Sequence, residues 1–194
     1  MSRLDRVFAA LLWALGVLFV AGIVHVVAIF MLPGLEPKDA FGRLSALAQP
    51  AQLTVLPPPR PGAEVMPFSD PAVAQGVCLF DLSQGAVRLQ GKVERDRLLT
   101  LSFRTPAGEV FYSMTDRAAQ HGRIDVLVLS PAQLEALEAE ADDEDEPPQE
   151  LRLVAPTRRG IIFVSSLAAL PSERPEAEER IKAISCDVEQ TPQE

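Results

Sequence analysis

The sequence predicts an α+β protein: one N-terminal transmembrane helix, followed by a mostly antiparallel β-sheet domain that carries two helices. Three observations lead there. An uncharged apolar run fills residues 7–32, short segments from residue 77 onward alternate apolar and polar at period two, and two helix-type patterns come late in the chain. A chain of 194 residues, 47% hydrophobic and 23% charged, has enough apolar material for one cored domain plus attachments.

The first element is VFAALLWALGVLFVAGIVHVVAIFML, 26 residues from Val7 to Leu32 without a formal charge. As a helix it is about 39 Å long, enough to cross a hydrocarbon core of roughly 30 Å with some tilt. A cleaved signal peptide is the rival reading, but its apolar region is about 7–15 residues long and ends in a small-x-small site. Here the run continues into MLPGLEP, so an uncleaved anchor is expected. Arg3 and Arg6 flank one end while Lys38 and Arg43 flank the other, which leaves the positive-inside count nearly tied. The short tail 1–6, with its α-amino charge, tips the expectation to a cytoplasmic N-terminus, with residues from about Pro33 onward outside the cytoplasm.

His25 is the one ionisable side chain inside that run. Ala21, Gly22 and Ala28 stand at i−4, i−3 and i+3 from it, and Ala14 and Ala10 continue roughly the same side. Two readings stay open: a packing face that meets a partner helix in another membrane protein, or a lone anchor whose neutral imidazole sits near the outer interface.

Residues 33–49 follow as a short amphipathic helix, in which Phe41, Leu44 and Leu47 oppose Lys38, Asp39 and Arg43. It either lies on the membrane surface or packs on the soluble domain. Residues 50–69 are proline-rich and read as a stiff linker, with PPPRP as a less apt polyproline ligand.

The compact domain spans 70–190. VCLFDL, AVRLQGKV and LLTLSFR alternate at period two, with SQG and ERDR supplying turn chemistry between them. TPAGE separates LLTLSFR from VFYSMTD as a hairpin signal, and RIDVLVLS, apolar on nearly both faces, reads as a central strand. Ser130 and Pro131 then open the helix PAQLEALEAEA, as N-cap and first-turn residue. ELRLVAP and GIIFVSSL flank a TRRG turn. The last pattern, SERPEAEERIKAIS, reads as a helix capped by Ser172, with Ala177, Ile181 and Ile184 on one side. Residues 191–194 are a tail.

At these blocks the chain resembles a known family. AGIVHVVAIFMLP with DAFGRL, then CLFDLSQGAVRLQG, VFYSMTDR, GRIDVLVLSPAQ and a late Cys are similar to the DUF1254 group of small bacterial inner-membrane proteins, often encoded beside DUF1214 proteins. The resemblance implies an inner-membrane location, a periplasmic domain and a DUF1214-type envelope partner. It supplies no catalytic residues, and no cofactor is expected.

The chemistry must therefore be sought in the residues. HExxH, CxxC, P-loop, GxGxxG and GxSxG motifs are all missing from the sequence. The net charge of −9 argues against nucleic acid as a partner, because phosphate neutralisation needs a basic face. Two distant cysteines with His121 fit no usual zinc spacing, and no metal is expected. The best polar constellation is FYSMTDRAAQHGR, at a strand end and the loop after it. There His121 would activate Ser113 or Tyr112, Asp116 would orient it, and Arg117 would grip an anion. The bland reading makes Asp116 and Arg117 a local turn, Tyr112 a core-edge ring and His121 a solvated side chain. Eight acidic residues between Glu138 and Glu150 lack EF-hand spacing and read as a solvated loop rather than a calcium site.

Two function classes follow. The first is a non-catalytic envelope component that binds another protein; the second is a membrane-tethered enzyme or small-ligand binder centred on Tyr112 to His121. The two cysteines, Cys78 and Cys186, either bridge in an oxidising compartment or stay free thiols. A bridge would join the first domain strand to the final helix. On a continuing helix Cys186 faces away from Ala177, Ile181 and Ile184, so bridging requires the helix to stop near Ser185.

Overall fold

A computed structural model of the chain describes residues 3–35, 40–62, 65–67, 69–95, 97–140 and 150–189. Most of the acidic loop 138–150, and its calcium reading with it, lies outside the described residues, as do Lys38, Asp39 and the tail 191–194. The chain divides into two compact units, residues 1–37 and 38–194.

The first unit is one helix, α1 (Arg3–Leu35). Its stretch Arg3–Met31 is long and apolar enough to cross a membrane. The helix continues past the expected boundary at Leu32, through Pro33 and Gly34.

The second unit contains α2 (Ala40–Leu44), β1 (Thr54–Val55), β2 (Val73–Asp81), β3 (Ala86–Lys92), β4 (Leu99–Arg104), β5 (Val110–Thr115), β6 (Arg123–Leu129), α3 (Pro131–Glu140), β7 (Leu151–Val154), β8 (Arg159–Leu167), α4 (Arg174–Lys182) and β9 (Ile184–Glu189). The class is α+β, as the sequence predicts, but the strands divide into two sheets. One runs β1-β2-β8-β4-β5, antiparallel throughout; the other runs β7-β6-β3-β9, with β6 and β7 parallel. The core fills the space between them, where Cys78, Phe80, Leu101, Phe103, Ile162 and Val164 of the first sheet meet Val87, Leu89, Val126, Val128 and Cys186 of the second.

This division corrects the hairpin reading. Of the turns expected from the sequence, TPAGE alone closes a hairpin between paired strands, β4 to β5. The SQG, ERDR and TRRG turns each carry the chain from one sheet to the other, because β2, β4 and β8 belong to one sheet and β3 and β7 to the other. Turn chemistry dictates that the chain reverses; it does not dictate which strand receives the hydrogen bonds.

The final element differs too. A 3-10 turn at Pro171–Glu173 precedes α4, and the Leu170 N–H donates to Glu173 Oε2 at 3.1 Å, so Glu173 rather than Ser172 closes this end. The helix ends at Lys182, and Cys186 stands on a strand instead of a helix. Ile184 misled the reading because it fits both periods: it falls on the stripe with Ala177 and Ile181, and also alternates with Cys186 along β9. The strand resolves the objection to bridging, and Cys78 and Cys186 form a disulfide with Cα atoms 6.6 Å apart. It staples β2 of one sheet to β9 of the other.

Each sheet has an outer cover. On the first, α2 buries Leu44 beside Leu56, Val77, Leu79, Ile161 and Phe163. The short helix therefore packs on the domain, although Leu47 of the expected apolar side is half exposed (50%). Part of the proline-rich segment joins this cover rather than hanging free. The Ala51 N–H donates to Leu79 O at 2.7 Å, Thr54 pairs with Val77, and the Leu56 N–H donates to Gln75 O at 2.8 Å. On the second sheet, Leu134 and Leu137 of α3 cover Leu127 and Leu129, which is why β6 is apolar on both faces. Gly76 lets α4 approach β2: a Cβ there would stand 2.5 Å from Ile181 Cγ2.

Candidate functional site

The segment from β5 to β6 positions all five polar candidates. Along β5, Met114 is buried and Ser113 exposed, opposite Ser102 of β4, so Ser113 lies on the sheet face away from the core. Tyr112 is half-buried and packs its ring against Phe103, with centroids 6.0 Å apart. The strand ends in a 3-10 turn, Asp116–Ala118. Asp116 is 1% exposed and its Oδ2 accepts the Arg97 N–H at 2.9 Å, which ties the loop before β4 to the end of β5. Its carboxylate is thus committed to a backbone amide.

A two-residue turn then carries the chain into β6. Gln120 and Arg123 exchange both backbone bonds, at 3.0 and 2.9 Å, around His121 (φ +52°) and Gly122 (φ +73°). Positive φ at both central positions is the type I′ pattern; glycine accepts it freely and histidine is among the residues that tolerate it. His121 is exposed on this turn. No hydrogen bond links it to Tyr112, Ser113 or Asp116 among the described residues.

A recess of about 400 Å³ lies where β5 and β6 face one another at the open side of the two sheets. Met114, Ile124 and Leu151 supply apolar lining, and Tyr112, Gln120, His121, Arg123 and Asp125 supply polar lining. Of the five candidates the recess takes Tyr112 and His121, and it leaves out Ser113, Asp116 and Arg117. Arg123 and Asp125 escaped notice in the sequence, although their alternation with Ile124 and Val126 marks them as one face of β6. Leu151 carried no such signal, because it reaches the recess only through the parallel pairing of β7 with β6.

Asp125 is occupied. Arg88 Nε and Nη2 donate to its two oxygens at 2.9 and 2.8 Å, and Arg88 Nη1 stands 3.3 Å from Glu189 Oε2. The bidentate bond to Asp125 is the main cause that holds the Arg88 guanidinium well above its ordinary range, with desolvation opposing and Glu189 adding to the shift. This cross-strand clamp spans β6, β3 and β9. The recess therefore offers Arg123 as its cation, His121, Gln120 and the Tyr112 hydroxyl as hydrogen-bonding groups, and an apolar floor. It suits a small ligand with an apolar body.

Both sulfurs are used by the disulfide, so neither serves as a metal ligand. Among the described residues no cluster of three or more His, Cys, Asp or Glu side chains is arranged for a metal ion. In α1, Ala21, Gly22, His25 and Ala28 lie on exposed helix.

No family model and no curated protein matches the chain. Among solved structures it is similar to the VPA0106 protein from Vibrio parahaemolyticus, with a TM-score of 0.54 at 7% sequence identity over 80% of this chain and 37% of that one. An uncharacterised protein from Burkholderia cenocepacia matches with a TM-score of 0.42 at 15% identity, over 70% of this chain and 34% of that one. The chain thus spans just over a third of the length of these structures. The first likeness is one of fold alone.

Proposed function

We propose that the protein is a single-pass component of the bacterial inner membrane, with a cytoplasmic N-terminus and a periplasmic domain, and that it acts by non-catalytic binding or assembly. The observation that carries this reading is the Cys78–Cys186 disulfide in a domain that directly follows an apolar helix of spanning length. Structural disulfides persist in oxidising compartments and are rare where glutathione and thioredoxin keep thiols reduced. The separation of Ser113 and Asp116 from His121 supports a non-catalytic role, since a nucleophile needs a base within hydrogen-bond reach. The resemblance to the DUF1254 group points to another membrane protein or a DUF1214-type envelope protein as the partner to seek.

The recess favours a second reading, a membrane-tethered enzyme or small-ligand binder, because Tyr112, His121 and Arg123 converge on a space of about 400 Å³. Two measurements separate and test these. Alkaline carbonate should leave the protein in the membrane pellet, and protease added to spheroplasts should digest the domain. Release by carbonate or protection from protease overturns the anchored periplasmic reading. Partner capture from detergent-solubilised membranes should survive His121→Ala and Arg123→Ala; a loss that spares folding shifts the assignment to the recess.

A further inference from the structure

Residues 50–69 read from the sequence as a stiff linker, but a spacer needs a separate body at each end. Before the motif PPPRP (residues 57–61), Leu56 is buried and its N–H donates to Gln75 O at 2.8 Å. After it, Val65 and Met66 pack against the same apolar cluster that holds Leu56, Val77 and Phe163. Both flanks are thus fixed to one unit, residues 38–194. The prolines space nothing apart, and their stiffness needs another account.

Covalent structure sets the local backbone. Proline holds its own φ at about −65°, and a residue that precedes proline is driven to the extended or polyproline region. Leu56, Pro57, Pro58 and Arg60 all precede a proline. No helix or strand covers residues 56–60, and the chain turns at Pro61 and Gly62, where φ is +77°. The conformation left is a polyproline helix, in which about three residues make a turn and positions i and i+3 share an edge. Exposure follows that period. Pro58 and Pro61 are exposed on one edge, Pro57 and Arg60 on a second, while Pro59 is half-buried in a cleft beside Leu56, Val65 and Ser69. Among the described residues no ion pair or hydrogen bond engages the Arg60 side chain. The domain therefore holds out two prolines at P-x-x-P spacing, with a guanidinium next to them, on a backbone already in its binding shape.

We propose that residues 58–61 are the ligand of an SH3-like domain on another protein, whose aromatic-lined groove takes Pro58 and Pro61 and whose acidic margin pairs with Arg60. Grooves of that kind select a preformed polyproline helix because little conformational entropy is lost on docking. A carboxylate matches the planar fork of arginine with two parallel hydrogen bonds. The proposal rests on the reading of the protein as a binding component, and it names the partner's chemistry. The recess between β5 and β6 takes no part in it.

The test keeps the full chain in its own membrane. The photoreactive residue p-benzoylphenylalanine replaces Pro57, which leaves residues 58–61 intact, or Gln52, an exposed control outside the motif. Irradiation should join position 57, and not position 52, to one other protein, through a peptide that carries aromatic side chains and a carboxylate. The yield should fall about tenfold in the double variant Pro58→Ala with Pro61→Ala and in Arg60→Glu, and change little in Pro59→Ala. Unaltered urea midpoints serve as the folding control, since the replaced side chains at 58, 60 and 61 are exposed. Adducts with lipid or a second copy only, equal yields from positions 52 and 57, or a yield that the variants leave unchanged overturn the proposal. Capture of a partner from detergent-solubilised membranes that survives Pro58→Ala with Pro61→Ala also overturns it and leaves the binding reading standing. No partner by either route overturns both.

Discussion

Cys78 and Cys186 are both essentially buried, at 0% and 4% exposure, and the bond between them closes a loop with a sequence separation of 108. In the chain-entropy account a loop of that order contributes about 4.7 kcal/mol, as an upper figure. Replacing both by alanine should lower the unfolding free energy read from urea titration by most of that amount, and the same loss should follow reduction of the wild type. Two alkylatable thiols in unreduced protein would remove the basis for this. Gly76 offers an independent check of the α4 contact. A methyl group there must displace the buried Ile181, so Gly76→Ala should cost about 1–3 kcal/mol in denaturant unfolding. Asp81 gives a pH signature. Burial pushes its carboxyl up, but the Ser83 hydroxyl at 2.6 Å, the Ser83 amide at 3.0 Å, Arg158 and Arg159 outweigh this, and the net shift is downward. A depressed carboxylate contributes stability above its unfolded pKa of about 3.9 and loses it as pH falls through the folded value. Asp81→Asn should therefore cost about 1 kcal/mol at pH 7 and progressively less as the pH is lowered through the acid range.

Among the elements, α3 shows local sequence agreeing with structure. The Ser130 N–H donates to Gln133 Oε1 at 2.8 Å and the Gln133 N–H to Ser130 Oγ at 3.3 Å, a reciprocal cap recognisable from Ser-Pro-Ala-Gln. Gln133 Nε2 also reaches Leu82 O at 3.0 Å and fastens the helix to the β2–β3 corner. Ser130→Ala should cost about 1 kcal/mol and speed amide exchange in the first turn of α3 ahead of the sheets. The β4–β5 hairpin and the central position of β6 were equally legible, because turn residues and two-sided apolarity act over short range. The split into two sheets was not. Strands that turn a sandwich corner and strands that form a hairpin carry the same alternation, and long-range pairing decides between them. The strand β9 was hidden by Glu and Arg pairs at helical spacing, Arg180–Glu176 and Arg174–Glu178, which run up to its threshold.

Over the whole molecule, the apolar helix follows from composition and the cysteine count leaves one intramolecular pair to test, whereas the recess has no such signal. Tyr112 and His121 were visible as polar residues near a strand end, yet the space they line exists only because Leu151 returns beside β6 from a distant part of the chain. The partner of Asp116 was hidden for a related reason: beyond its own 3-10 turn it accepts from the Arg97 amide, on the approach to another strand. The arrangement of strands has a temporal consequence. Val73 pairs with Leu167 and Ala86 with Glu189, so each sheet waits for segments made much later in synthesis. At about 5–20 residues per second, β2 spends roughly 5–20 s without its principal neighbour. For that interval VCLFDL is an unpaired apolar ribbon, and Cys78 is a thiol whose bridging partner has yet to be made.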